Sequence, residues 1–469
     1  MSSTSPSRVA VIGAGAAGLT AVKALLDVGT QVVAYDKGDR PGGLWVRHNS
    51  SGLSPAYDSL HLNTSKGRTE FADFPMPKDW PDYPSADHVA GYLVDYAEKF
   101  SLLPHLRLET TVTSVERDDA AGKWVVASES GERERFDAVV IANGHNWSPR
   151  WPAPPYPGDF EGAQMHAHDY MSADVFQDKR VLVVGMGNSA MDIAVDASFV
   201  ARGPVLLSGR RGVFIVPKYL FGRPADATGG AIAFLPWRLR QRVAETMLRV
   251  GVGEPQSYGL PAPAAGLFQN HPTISDTIMH RLTHGEVEAR PGIERMEGDA
   301  VRFTDGRSDP VDVVVWATGY TVTMPFLPER WLGDAPERLR LYRRVFHLDD
   351  PTLAFVGLMQ STGAALPIVE AQSKLFAAYL GGSYALPPRA EQRRLVERSL
   401  NAATKRWGLG SRPEMRVDFD RFVAELPREA KAGARRLQRG RGIPYDSASG
   451  RSRADGSRQA QTESDRTAA

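Results

Sequence analysis

Residues 160–211 read FEGAQMHAHDYMSADVFQDKRVLVVGMGNSAMDIAVDASFVARGPVLLSGRR, and the centre of this stretch decides the fold. Val181-Leu182-Val183-Val184 is a strand-like apolar run, Gly185-Met186-Gly187-Asn188-Ser189-Ala190 is a glycine turn, and Ile193, Ala194 and Ala197 continue at helical spacing. Strand, glycine turn and helix in that order place a dinucleotide pyrophosphate on a helix N-terminus. The first glycine turns the chain, the second admits the phosphate, and the small third residue lets helix meet strand. A second strand, Val205-Leu206-Leu207, is expected to end at Ser208-Gly209-Arg210-Arg211. Arginine there, where an NAD site would offer an acid, suits the 2′-phosphate of NADP(H).

The same order occurs at the N-terminus. Arg8-Val9-Ala10-Val11-Ile12 leads into Gly13-Ala14-Gly15-Ala16-Ala17-Gly18, a helix follows through Ala21, Leu25 and Leu26, and Val32-Val33-Ala34-Tyr35 closes on Asp36. That carboxylate sits where a ribose hydroxyl is held. A lone glycine triplet is often an ordinary tight turn, but two complete units predict an α/β protein with two dinucleotide-binding, Rossmann-like domains. Ala138-Val139-Val140-Ile141 before Ala142-Asn143-Gly144 and Val313-Val314-Val315-Trp316 before Ala317-Thr318-Gly319 bracket the Arg210 unit, so the NADP domain is expected as an insertion. The expected division is 1–155 for the first part of the FAD domain, 156–316 for the inserted NADP domain, 317–443 for the second part, and 444–469 for a disordered tail, where Leu, Ile, Val and Phe are absent.

Phe160, Gly162, His166 and Tyr170, just ahead of the second glycine turn, resemble the identifying motif of the flavin-containing monooxygenases, the class B flavoproteins. Gly42-Gly43-Leu44-Trp45, Leu62-Asn63-Thr64-Ser65-Lys66, Gly187-Asn188-Ser189, Ala317-Thr318-Gly319-Tyr320, Gly357-Leu358-Met359-Gln360 and Glu370-Ala371-Gln372 match in the family's order, over roughly residues 8 to 380. The resemblance implies FAD at Gly13, Gly15, Ala16, Ala17, Gly18, Asp36, Gly43, Leu44, Trp45, Leu62, Asn63, Thr64, Val112 and Gln360. It implies NADP(H) at Gly185, Gly187, Asn188, Ser189, Ala190, Ser208, Arg210, Arg211, Thr318 and Gly319. It further implies an NADPH- and O2-dependent, FAD-dependent monooxygenase of the N,N-dialkylaniline type, oxygenating a nitrogen or sulfur centre through a C4a-hydroperoxyflavin. Asn63 would be its catalytic amide, hydrogen-bonded to flavin and nicotinamide; by residue type alone, Asn63-Thr64 equally suits a side-chain turn. His166 lies about fifteen residues before the NADP strand and is expected to be a linker coupling domain position to cofactor binding.

Three other enzymes compete. A Baeyer-Villiger monooxygenase uses the same cofactors but usually carries Trp then Pro where this chain has Tyr170-Met171. An amino-acid N-hydroxylase usually has a different glycine-turn context, and a non-oxygenating NADPH-dependent flavin reductase would release NADP promptly. A FAD/NADP redox sensor is the non-enzyme alternative.

Composition narrows the field. A chain of 469 residues exceeds one compact core, and its formal net charge of +1 gives no sign of a nucleic-acid surface. The absence of cysteine removes disulfides, thiolate metal sites and the disulfide reductases, which share the two-dinucleotide layout but need a redox-active pair. No metal is expected. A polar lead without an apolar signal core and the lack of eighteen uninterrupted apolar residues suggest a cytoplasmic protein with no membrane span, and leave a homodimer open. Ala86 to Lys99 reads as a helix, 356–360 as a strand into a loop, Ile368 to Leu380 as a helix and 389–407 as a charged outer helix. Within the glycine- and proline-rich 222–272, Trp237 to Arg249 reads as a helix with Leu239, Val243, Met247 and Val250 on one side, expected to lie on the protein over the substrate access rather than on a membrane.

Overall fold

The computed structural model describes residues 7–227, 232, 234–269, 272–408, 412–446 and 451–452. Its architecture is α/β. In the first of its two large sheets, Arg8–Ile12 is flanked in parallel by Gln31–Tyr35 and Ala138–Ile141, in register Val9↔Val32 and Val9↔Ala138. Leu106–Arg107 adds an edge beyond Gln31–Tyr35, and Leu353–Phe355 extends the other side before an antiparallel Phe346–His347 and Leu341–Tyr342. Burial on both faces explains why the central strands are unbroken apolar runs: every residue of Ala138–Ile141 is buried.

The second sheet runs Val287–Arg290, Val205–Ser208, Val181–Val184, Val313–Trp316, Ala163–His166, all parallel. The two halves repeat one plan. Each begins with strand, glycine turn and helix (Ala16–Asp27 or Asn188–Ala197), passes through a three-stranded antiparallel meander, and closes on a strand beside its first. The chain reaches the second sheet at Ala163–His166 after leaving the first at Ala138–Ile141, and returns to the first only after Val313–Trp316.

Three details differ from the sequence reading. The strand expected at 356–360 is Leu353–Phe355, because Gly357 at φ +84° turns the chain away, and Gln360–Ser361 instead pairs with Arg416–Val417. Residues 444–446 and 451–452 are not disordered tail: Ile443–Asp446 is a strand pairing with Ala385–Leu386 and with the strand Arg451–Ser452, whereas residues 447–450 and 453–469 of the expected tail lie outside the described residues. On Trp237–Gly251 the inward residues are Arg240, Ala244, Met247 and Leu248, while Leu239 and Val250 stand 49% and 75% exposed. The helix is packed by the cavity below it and by an ion pair, so the apolar spacing misjudges its inner face.

Candidate functional site

Both glycine turns leave a helix N-terminus open. Gly15 caps Ala16–Asp27 and Gly187 caps Asn188–Ala197, neither with a side-chain hydrogen bond, and neither first turn carries an acid. Ser85 and Asp418, by contrast, cap their helices through side-chain oxygens. Free N–H groups and the helix dipole make each open terminus an anion cradle. Gly43 faces the first: a Cβ there would come 3.0 Å from the Gly15 Cα, and the Gly42 N–H donates to the Ala14 carbonyl at 3.0 Å. The backbone geometry fits a dinucleotide in both halves.

Asp36 ties the first cradle together. Its carboxylate accepts the Ala14 N–H at 2.6 Å and the Gly38 N–H at 2.7 Å, and burial holds its pKa above the ordinary carboxylate value despite both bonds. Val112 begins the strand Val112–Asp118, its side chain buried in the same cluster as Ile12 and Tyr35. In the second cradle, Asn188 Oδ1 accepts the Ile274 N–H at 2.7 Å, and the Ser208 hydroxyl donates to the Pro291 carbonyl at 2.6 Å. Arg210 and Arg211 are exposed at the end of Val205–Ser208, and the Arg210 stem lies over Gly292.

Between the halves lies a cavity of ≈ 510 Å³. From the first half come Leu44, Trp45, Leu62, Asn63 and Thr64, from the second Asn188 and Ser189, and from the return segment Tyr320 and residues 361–366. Asn63 is held by its neighbours. The Leu62 N–H donates to Pro84 at 2.8 Å, and the Ser65 N–H donates to the Asp226 carboxylate at 2.7 Å. Gln360 does not line this cavity, although Ser361 and Thr362 do; its N–H donates to Met415 at 2.8 Å.

His166 is buried one layer behind. It ends the strand Ala163–His166 opposite Trp316, accepts the His168 N–H on Nδ1 at 3.0 Å, and lies 5.6 Å from the Tyr320 ring, which lines the cavity. Burial lowers its pKa, favouring a neutral ring. Tyr170 is also buried and donates to Asp196 at 2.8 Å, bracing the helix Asn188–Ala197, and a Cβ on Gly162 would strike the Asp312 carbonyl at 2.5 Å. Phe160 bridges to Gly298.

Sequence reasoning missed several contributors. Tyr57, from the irregular 53–65 loop, lines the cavity and donates to Asp192 on the helix Asn188–Ala197 at 2.7 Å. Arg150 clamps the turn after Val313–Trp316 by donating to the Thr318 carbonyl at 2.6 and 3.1 Å. Lys218 and Asp226 line the cavity from the 216–227 segment. Tyr57, Arg150 and Lys218 lie in loops and Asp226 in a short helical turn, none with periodicity or motif, so the sequence carries no local signal for them. Among the described residues, no cluster of three or more His, Cys, Asp or Glu could hold a metal ion, and no helix is long and apolar enough to cross a membrane.

Two facing dinucleotide cradles with a shared cavity between them define a two-dinucleotide flavoprotein oxidoreductase. The profile of the flavin-binding monooxygenase-like family matches residues 6–435. Flavin-containing monooxygenase 5 of Oryctolagus cuniculus is 34% identical over 448 residues, covering 89% of this chain and 82% of the relative, and its Homo sapiens counterpart is 33% identical over 438 residues with the same coverage. Among solved structures, the S-allyl-L-cysteine S-oxygenase of Allium sativum superposes with a TM-score of 0.67 at 24% identity, covering 93% of each chain. An open form of cyclohexanone monooxygenase gives 0.70 at 20% identity, over 92% of this chain and 99% of that one. The chain belongs to the flavin-binding monooxygenase-like family. It is a flavoprotein monooxygenase.

Proposed function

We propose that this protein uses NADPH and O2 to oxygenate a soft nitrogen or sulfur nucleophile in a small molecule bound in the ≈ 510 Å³ cavity. The observation that carries this is the convergence of Trp45 and Asn63 with the Asn188–Ser189 helix start on one largely apolar space. The bound cofactors supply the hydride, the oxygen-activating ring and hence the chemistry. The protein positions and shields. In this reading Asn63 offers its amide to the flavin and nicotinamide, Asp36 accepts from the adenosine ribose, and Arg210 and Arg211 meet the 2′-phosphate. The apolar wall and the roof helix Trp237–Gly251 keep water from the reacting centre. No acid or base acting on the substrate is required. His166 has a positioning role behind Tyr320.

The domain bounds we propose are those of the sequence reading, 156–316 for the inserted NADP unit, supported by the chain's single excursion into the second sheet. A cytoplasmic setting, where NADPH is supplied, belongs to the same reading. The test is a panel of tertiary amines, sulfides and ketones supplied with NADPH and isotopically labelled O2. One labelled oxygen atom in an N-oxide or S-oxide product is the expected result. Labelled esters from ketones, with amines and sulfides untouched, would replace this reading with Baeyer-Villiger chemistry.

A further inference from the structure

We propose that the cleft between the helices Arg389–Trp407 and Phe419–Gln438 is a binding site for a small molecule bearing phosphate or carboxylate oxyanions, separate from both dinucleotide cradles. The cleft encloses ≈ 320 Å³, within the range of small-ligand pockets. Six arginines line it, Arg343, Arg344, Arg398, Arg406, Arg416 and Arg421, against two acids, Asp418 and Glu425.

The pairing within the cleft leaves positive charge over. Arg343 is taken by Glu429 at 2.9 Å and Glu425 at 3.6 Å. Arg406 shares Asp418, at 3.4 Å, with Arg240 at 3.2 Å. Arg344, Arg398, Arg416 and Arg421 have no ion-pair partner among the described residues, and two of these are buried: Arg344 is 6% and Arg416 5% exposed.

A buried guanidinium needs acceptors for five N–H groups as well as a counter-charge. Arg344 has the Pro413 carbonyl at 3.0 Å, and Arg416 has the Gln269 carbonyl at 2.6 Å and the Trp407 ring at 5.7 Å. Burial pushes both down to about 10, and for Arg416 burial is the whole cause, with no carboxylate near enough to oppose it. An oxyanion in the cleft would provide both the acceptors and the charge, in the planar geometry that guanidinium groups match. Arg398 and Arg421, exposed on the two facing helices, stand at the rim where an anion would arrive.

The test uses holoenzyme with FAD bound and saturating NADP+, so that the dinucleotide phosphate positions are filled. Inorganic phosphate and citrate are titrated against chloride at constant ionic strength, following thermal unfolding and the heat of binding. At least one of the two should raise the melting temperature and bind once per chain. Replacing the rim residues together, Arg398→Ala with Arg421→Ala, should weaken that binding about tenfold or more while FAD content and turnover stay unchanged. Arg416→Met should abolish it, and where that variant fails to fold, the rim pair decides. No stabilisation by either anion, or an equal effect in wild type and the rim variant, overturns the proposal.

Discussion

A Cβ on Gly13 would come within 2.4 Å of the Ala142 carbonyl oxygen, and the same contact recurs in the second half, where a Cβ on Gly185 would lie 2.5 Å from the Ala317 oxygen. In each pair the glycine ends the first strand and the carbonyl ends the neighbouring closing strand, so the glycine is demanded by the sheet as well as by the ligand. Both glycines have positive φ, +110° and +141°.

The halves should therefore fail separately. Gly185→Ala forces strain on the order of 1–3 kcal/mol onto the second glycine turn alone. We expect yellow protein with normal FAD content and a KM for NADPH raised tenfold or more. Gly13→Ala should lose FAD. Flavin absorbance per chain and steady-state kinetics read the two outcomes, and colourless Gly185→Ala protein would show that the turns are not independent.

Coenzyme choice should rest on Arg210, exposed at the end of Val205–Ser208. A charge-assisted contact to a 2′-phosphate contributes roughly 1.5 to 3 kcal/mol. Arg210→Ala should raise the KM for NADPH about tenfold or more and leave NADH nearly unchanged. An equal loss with both coenzymes would assign Arg210 to the fold.

These two expectations were legible in the sequence because strand, turn and helix are contiguous there, and each residue's task is set by its immediate neighbours. The cavity was not. Tyr57 and Lys218 reach it from irregular segments and Asp226 from a short helical turn, and their placement follows from how the two sheets face each other. The inner face of Trp237–Gly251 was misread because an apolar rule cannot foresee a buried arginine paired across to another helix. That other helix, Phe419–Gln438, is itself obscured by Pro427 within it.

Asp192 should make stability depend on pH. Burial is the chief cause that lifts its pKa to about 6, with Asp196 adding to the rise, while the Tyr57 hydroxyl, Lys218 and His61 oppose it. The folded value lies above the unfolded one, so this group's contribution is fully present below about pH 3.9 and is lost as pH rises through about 6. Asp192→Asn keeps an acceptor for Tyr57 and removes the ionisation. Its melting temperature should exceed that of wild type at neutral pH, by a stability on the order of 2 kcal/mol, and converge on it near pH 4. A pH-independent difference would rule out titration of Asp192 as the cause.

Asn63 lines the cavity on a backbone fixed on both sides by Pro84 and Asp226. Asn63→Ala should leave FAD bound and NADPH oxidation active, with more hydrogen peroxide released per NADPH consumed and less product. Unchanged coupling would leave Asn63 as a turn residue.

Arg240 joins the cavity roof to the C-terminal helix. It is 7% exposed, pairs with Asp418 at 3.2 Å and Asp420 at 3.3 Å, and lines the cavity beside Met247 and Leu248. Removing one partner of a buried ion pair commonly costs about 3–5 kcal/mol, because the remaining charge stays buried. Here the cost should fall short of that, to about 2 kcal/mol, since Arg406 still faces Asp418 at 3.4 Å and Arg68 still faces Asp420 at 2.6 Å. The loss should be felt in function before it is felt in the fold. With the roof helix unpinned, water reaches the reacting centre, so Arg240→Met should retain FAD yet divert reducing equivalents to hydrogen peroxide. Arg238→Met, on the exposed face of the same helix, is the control and should change neither stability nor coupling. Chemical denaturation measures the first effect and the peroxide-to-product ratio the second. If Arg240→Met lowers stability while coupling stays at the wild-type value, the helix supports the structure and does not seal the cavity.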